Sequence, residues 1–260
     1  MKAALLTLAL LLWALAPARA ALTSNDLAEV RVDPPAGAAL PRDQVYRDEH
    51  NQSRTIGDFM DGRPAVLVFA DYTCQTLCGP AVSLAAAALQ ESGLRAGRDY
   101  VLLVVGIDPH DGIADAKAMK QTRIGDPAIA GASRFLVGDA ETEAAATAAL
   151  GYHYVYDPDI DQYAHPAAAF VLRPDGGLQQ SFAGFDIQPE PLKTALQAAS
   201  TGSEGGIVEQ IRILCYALTP AVGIYSDQIT LALQAGGALT VLGLGAAGAV
   251  AFRRRGRRKA

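Results

Sequence analysis

Ala65-Val-Leu-Val-Phe-Ala-Asp-Tyr-Thr-Cys-Gln-Thr-Leu-Cys-Gly-Pro80 is the stretch from which the rest of the chain is read. Ala65 to Ala70 is an apolar run of strand length, rich in β-branched and aromatic side chains, as in a strand buried on both faces. A short polar turn, Asp71-Tyr72-Thr73, then delivers Cys74 and Cys78, four positions apart. Past Gly79, the run Ala81 to Ser92 is dense in strong helix formers. Pro80 suits the first turn of that helix, where its missing N–H has no intrahelical partner to lose. Two thiols at a strand-to-helix junction lie near the positive end of a helix, a field that favours thiolate over thiol. The stretch points to soft-metal binding or thiol redox chemistry.

Neither end of the 260-residue chain reads as globular. Residues 1–20 form a secretory signal: Lys2 supplies the positive start, Leu5 to Leu15 the apolar middle, and Ala18-Arg19-Ala20 a small-x-small cleavage site. At the other end, Ile229 to Phe252 is twenty-four residues without a charge. About 20 apolar residues suffice to cross a bilayer. The basic tail 253–260, Arg253-Arg-Arg-Gly-Arg-Arg-Lys259 and Ala260, marks the cytosolic side of such a span. The expected layout is a signal peptide (1–20), an extended lead-in (21–37), one domain (38–200), a linker and juxtamembrane segment (201–228), a transmembrane helix (229–252) and the cytosolic tail.

Net charge is −5 although the tail alone carries six cations, so the exported part is acidic. An acidic surface argues against nucleic acid as a partner. The three cysteines are Cys74, Cys78 and Cys215. One close pair does not make a disulfide framework, because a domain of this size builds its own core. That favours a chemical role for Cys74 and Cys78. Cys215, just before the apolar span, reads as a small apolar residue, with a third thiol ligand as the alternative.

Strand and helix signals alternate along the central part. A strand and turn are expected over Gln44 to Gln52 and a short helical element at Thr55 to Phe59. The β-cysteine-helix stretch follows, then a second buried strand within Asp99 to Asp108 and a helix from Gly112 to Arg123. A strand at Arg134 to Gly138, a helix at Ala140 to Leu150 and an exposed strand or hairpin arm at Tyr152 to Tyr156 come next. Ala167 to Leu172 and Leu178 to Phe182 flank a glycine turn and read as a hairpin, and Pro189 to Ala199 as a last helix. This order implies an α/β sandwich around a mixed sheet. A thioredoxin-like arrangement fits, with the cysteines at the carboxyl end of a central strand.

On a helix, positions i and i+4 share one face, so both sulfurs could grip one ion. The same spacing is open to a redox-active disulfide or to an inert structural one. Two thiolates leave a metal short of ligands, and histidine is the usual third. His50 sits in a polar turn, His110 follows Asp108-Pro109 at a strand end, and His153 alternates with tyrosines. His165, on the loop Gln162-Tyr-Ala-His-Pro166 just before a strand, has the position expected of a site ligand. The residues alone leave open whether it is one. Two thiolates and an imidazole suit Cu(I), and Cu(II) when the imidazole engages, whereas zinc usually wants a fourth ligand.

The cysteine motif after a hydrophobic strand, Val105-Gly-Ile-Asp-Pro109, and Tyr163-Ala-His165 ahead of Arg173-Pro-Asp-Gly176 occur in the order found in the SCO/SenC family, which residues 38–200 resemble. Leu40-Pro41 through Val45 to Glu49 and Gly151 to Pro158 resemble its bacterial branch. The resemblance implies a thioredoxin-fold, membrane-anchored copper protein that assists assembly of the copper centre of cytochrome c oxidase. It implies Cys74, Cys78 and His165 as copper ligands and Asp108 as a residue near the site. It further implies a bacterial inner-membrane location with the domain in the periplasm, the oxidase copper-binding subunit as client and a periplasmic thiol reductant as partner. Departures are Gln75, where the family commonly has proline, and an anchor at the C-terminus where many members have it at the N-terminus. The competing readings are a thiol–disulfide reductase without stable metal, which uses Cys74 and Cys78 as its redox pair, and a tethered interaction domain with an inert clip. No threonine precedes Cys74 at the spacing peroxiredoxins use.

Overall fold

The computed structural model describes residues 22, 24–74, 78–158, 161–184, 187–202, 236, 237, 240 and 245. The chain divides into two units, Met1–Gly205 and Gly206–Ala260. All elements named below belong to the first, among them the antiparallel pair β2 (Val45–Arg47) and β3 (Ser53–Thr55). The signal peptide, Cys215, the linker beyond Gly202, nearly all of the expected span 229–252 and the basic tail lie outside the described residues, and Thr201 at the start of the expected linker ends the last helix. Among the described residues no helix is long and apolar enough to cross a membrane.

Five strands make the central sheet: β4 (Ala65–Ala70), β5 (Val101–Gly106), β6 (Ser133–Leu136), β10 (Ala168–Leu172) and β11 (Leu178–Ala183), in the order β11-β10-β4-β5-β6. β4, β5 and β6 are parallel, β10 runs antiparallel to β4, and β11, antiparallel to β10, points the same way as β4 again. The expected mixed sheet is therefore present. β4 and β5 are buried at every position, which explains why they read as unbroken apolar runs rather than as alternation.

Alternation is still there, hidden by the two-sided burial. Val66, Val68 and Ala70 face one core together with Val82, Ala85 and Leu89 of the helix Cys78–Glu91, and with Leu192 and Leu196 of the helix Pro189–Thr201. Ala65, Leu67 and Phe69 face the other core, with Tyr46, Ile56, Met60, Leu150, Tyr152 and Phe170. The sheet is thus covered on both sides. In such a layout a site at the carboxyl ends of parallel strands is framed by loops rather than by core.

Two stretches differ from expectation. The lead-in is not simply extended: Ser24–Glu29 is helical, and β1 (Arg31–Val32) pairs antiparallel with β7 (Tyr152–His153). Tyr152 to Tyr156 is accordingly not one arm but two short strands. β7 takes the lead-in, and β8 (Val155–Asp157) pairs with β9 (Gln162–Ala164). A local pattern of alternating tyrosines cannot show that its partner strand lies about 120 residues upstream. An additional helix, Pro127–Ala132, was not expected, although Asp126 caps it through the Ala128 and Ile129 amides and Pro127 opens it.

Candidate metal centre

The cysteine turn is built by Asp71. Its Oδ1 accepts the amides of Thr73 (3.0 Å) and Cys74 (2.9 Å) and the Thr73 hydroxyl (3.1 Å). An aspartate side chain that takes amides two and three residues on holds a turn in place of a helix. Cys74 consequently sits in the turn after β4, buried, and the helix itself begins at Cys78. This corrects the expectation that both cysteines share one helical face. Cys78 instead occupies the amino end of the helix, where the dipole favours thiolate. The Arg123 guanidinium fills the space a Cβ on the neighbouring Gly79 would need, which brings a cation to that helix end.

His165 follows β9 and is held by Tyr152. The Tyr152 hydroxyl lies 2.6 Å from His165 Nδ1 and donates to the Pro166 carbonyl at 2.8 Å, while Nδ1 lies 3.1 Å from that same carbonyl. One proton arrangement satisfies all three contacts: Nδ1–H donates to the Tyr152 oxygen, and Tyr152 donates to Pro166. In that arrangement the proton sits on Nδ1 and the lone pair on Nε2. A ligating histidine whose other nitrogen donates to a fixed neighbour is the usual outer-shell arrangement in metal sites. Tyr152 is anchored in turn by Phe69 of β4, their ring centroids 4.7 Å apart.

The structure brings the Cys74 turn and the His165 loop to the same end of β4. Asp71, which bonds the Cys74 amide, is also acted on by the backbone amide of Tyr163, two residues before His165. The donor set of buried thiol and oriented imidazole fits a soft or borderline metal such as copper better than a hard one. Of the other histidines, His50 and His110 are exposed, beside Glu49 (3.4 Å) and Asp108 (2.9 Å), and His153 is exposed on β7.

Asp108 is buried, and its Oδ1 accepts the His110 amide at 2.9 Å. It does not stand alone. Asp111, whose Oδ2 accepts the Tyr72 amide at 2.6 Å, and Asp71 are buried beside it, and one ligand atom from each of the three lies within 4.8 Å of the others. Burial pushes the Asp111 carboxyl up to about 7, with the Asp71 and Asp108 charges adding to the rise and the Tyr72 amide opposing it. Burial likewise raises Asp71 above its ordinary value, against the Thr73 bonds. Glu143, from the helix Ala140–Ala149, is raised to about 8, chiefly by burial and then by Asp108 and Asp111; the Gly138 amide opposes this without completing a hydrogen bond of normal geometry.

Sequence reading missed Asp71, Asp111 and Glu143 as site residues. Asp71 is legible as a turn former three residues before Cys74. Asp111 belongs to an Asp-Pro-x-Asp run at a strand end. Nothing local marks Glu143, which reads as one more acid near a helix start.

The sequence profile of the SCO1/SenC family matches residues 44–200. No functionally curated protein matches the chain. Among solved structures, it is similar to a SCO1/SenC family lipoprotein of Bacillus anthracis: TM-score 0.54, 18% identity, covering 65% of this chain and 99% of that one. It is similar to Arabidopsis thaliana ScoI solved with copper bound: TM-score 0.52, 15% identity, 63% and 99% covered. It is also similar to BsSco, described as a member of the Sco family of cytochrome c oxidase assembly proteins: TM-score 0.50, 18% identity, 66% and 98% covered. These likenesses concern the fold, which is the thioredoxin-like one of the Sco proteins, and the profile covers more than half of the chain. This chain belongs to the SCO1/SenC family.

Proposed function

We propose that this protein is a membrane-anchored copper-binding assembly factor that delivers copper to, or maintains the thiols of, the copper centre of cytochrome c oxidase. Cys74, Cys78 and His165 would hold the ion, with Asp108 behind them. Residues 1–20 would direct export, and 229–252 would anchor the domain to the bacterial inner membrane with 253–260 in the cytosol and the domain in the periplasm. The copper-binding subunit of the oxidase would be the client, and a periplasmic thiol reductant would keep the cysteines competent. The copper-bound relative and the oxidase-assembly relative support the reading.

The observation that carries it is the orientation of His165. Tyr152 engages Nδ1, so Nε2 would be the coordinating atom, on a loop that leads into β10 beside the end of β4 from which the Cys74 turn leaves. Copper is the cargo: two sulfurs and one nitrogen suit Cu(I) and, with the imidazole engaged, Cu(II). Release to a client would proceed by exchange of these ligands for the client's. The acidic surface offers a docking face.

The test is a copper titration followed by spectroscopy on the purified protein, on His165→Ala and on a Cys74→Ser, Cys78→Ser double variant. One copper per chain is expected for the wild type and loss of the thiolate bands in the double variant. Equal copper uptake by all three proteins would end the proposal.

A second reading is a thiol–disulfide reductase without stable metal. The helix Cys78–Glu91 favours it, with the Arg123 guanidinium against Gly79 at that end, since a helix amino end and a nearby cation both stabilise thiolate. The two thiols would give two electrons and two protons to a client disulfide and become a Cys74–Cys78 disulfide. His165→Ala separates the readings: copper binding should collapse while thiol exchange persists. Equal loss of both would contradict that separation.

A further inference from the structure

Asp71, Asp108 and Asp111 surround the carboxyl ends of β4 and β5, all three buried, with one ligand atom from each within 4.8 Å of the other two. Each carboxylate spends one oxygen on a local amide. Asp71 Oδ1 takes Thr73 and Cys74, Asp108 Oδ1 takes His110, and Asp111 Oδ2 takes Tyr72. Asp108 Oδ1 also lies 2.9 Å from the exposed His110 ring at Nδ1, but among the described residues no lysine or arginine forms an ion pair with any of the three. Asp71 Oδ2 is buried and completes no hydrogen bond of normal geometry among the described residues, although the Tyr163 amide acts on this carboxylate.

A fourth carboxylate, from a different element, lies near enough to feel the Asp108 and Asp111 charges. Glu143 is 1% exposed, and neither of its oxygens has a hydrogen-bond partner among the described residues. Its Oε1 lies 3.6 Å from where a Cβ on Gly106 would stand, two residues before Asp108. Buried anions without partners are strongly unfavourable unless a cation or shared protons compensate them.

We propose that Asp71, Asp108 and Asp111, backed by Glu143, form a binding site for one hard divalent cation of the Mn2+ or Ca2+ class, separate from the Cys74, Cys78 and His165 ligand set. Ligand chemistry selects the class. Carboxylate oxygens suit Mn2+, Ca2+ and Mg2+, whereas Cu(I) prefers sulfur. The site stands on its own donors and does not depend on the copper reading. It abuts the cysteine turn, because the Asp71 carboxylate that would bind through Oδ2 also accepts the Cys74 amide through Oδ1. Cation occupancy is thereby tied to the order of that turn.

The test uses the full-length protein stripped of copper. Mn2+ is titrated in, with the loss of the free-ion EPR signal as readout, and Tb3+ luminescence excited through tyrosine serves as a second probe. One Mn2+ per chain is expected, weakened by about ten-fold or more in Asp111→Asn and in Asp108→Asn. Glu143→Gln should weaken it less, and the Cys74→Ser, Cys78→Ser double variant should bind as the wild type does. No Mn2+ or Ca2+ bound at about 1 mM, the weak end for oxygen-donor sites, overturns the proposal. So does binding that survives both aspartate substitutions, or binding lost in the cysteine variant. Should the aspartate variants fail to fold, thermal melting of the wild type decides. Binding to the folded state must raise the midpoint, and an unchanged midpoint at saturating Mn2+ overturns the site.

Discussion

Tyr152 Oη lies 2.6 Å from His165 Nδ1, and the same hydroxyl reaches the Pro166 carbonyl, so one tyrosine sets both the tilt and the tautomer of the imidazole. Tyr152→Phe keeps the ring against Phe69 but removes both bonds. Loss of such an outer-shell partner costs on the order of 10-fold to 100-fold in metal affinity, against about 1 kcal/mol in stability. Competition with a copper chelator should show the first and urea unfolding the second. Unchanged copper affinity in a folded variant would remove Tyr152 from the account.

Asp71 holds the cysteine turn through three bonds into Oδ1. Asp71→Ala leaves those donors without their acceptor, at about 1–3 kcal/mol, and should speed alkylation of Cys74. Asp71→Asn keeps an acceptor oxygen in place. It is expected to restore the slow alkylation while still weakening Mn2+ binding. This split distinguishes a turn-forming role from a cation-binding one.

Glu143 carries a pH signature. Its carboxyl is raised from 4.5 to about 8 in the folded chain. Between those values the native state holds a proton that the unfolded chain has lost. Stability from this group is therefore complete below pH 4.5 and is lost as pH rises through 8. The slope is at most about 1.4 kcal/mol per pH unit. Asp111, raised from 3.8 to about 7, acts in the same direction. Urea midpoints of the metal-free protein in chelator should fall from pH 5 to pH 8, and Glu143→Gln should flatten part of that fall. A wild type that gains stability over this range would refute the assignment.

Away from the site, Glu49 is buried, paired with Lys120 and accepting the Phe135 amide at 2.9 Å. Lys120→Met leaves a buried carboxylate without its cation and should cost about 3–5 kcal/mol. Adding Glu49→Gln should recover part of the loss. Chemical denaturation of the two single variants and the double variant measures the coupling, and additive losses would count against it.

The sheet strands were legible because burial on both faces leaves an unmistakable apolar run: Ala65–Ala70 is a strand over the residues expected of it. The hairpin of β10 and β11 was legible through its glycine turn, and the helix Ile113–Arg123 as the run that follows the Asp108-Pro109 strand end. The pairing of Arg31–Val32 with Tyr152–His153 was not, because strand partners far apart in the chain leave no local trace. The cysteine turn was half legible. Its residues were singled out, yet the Asp71 side chain, rather than helix propensity, holds Cys74 in a turn outside the helix.

Composition and spacing by themselves determined the layered α/β class, the cysteine pair at a strand end and the interest of His165, since these depend on local pattern and residue chemistry. Only the folded chain decided that Tyr152 orients His165 and that Asp71, Asp108, Asp111 and Glu143 share one buried corner. The physical reason is distance along the chain: those partners are brought together by sheet order and helix packing, and each looks unremarkable where it stands in the sequence.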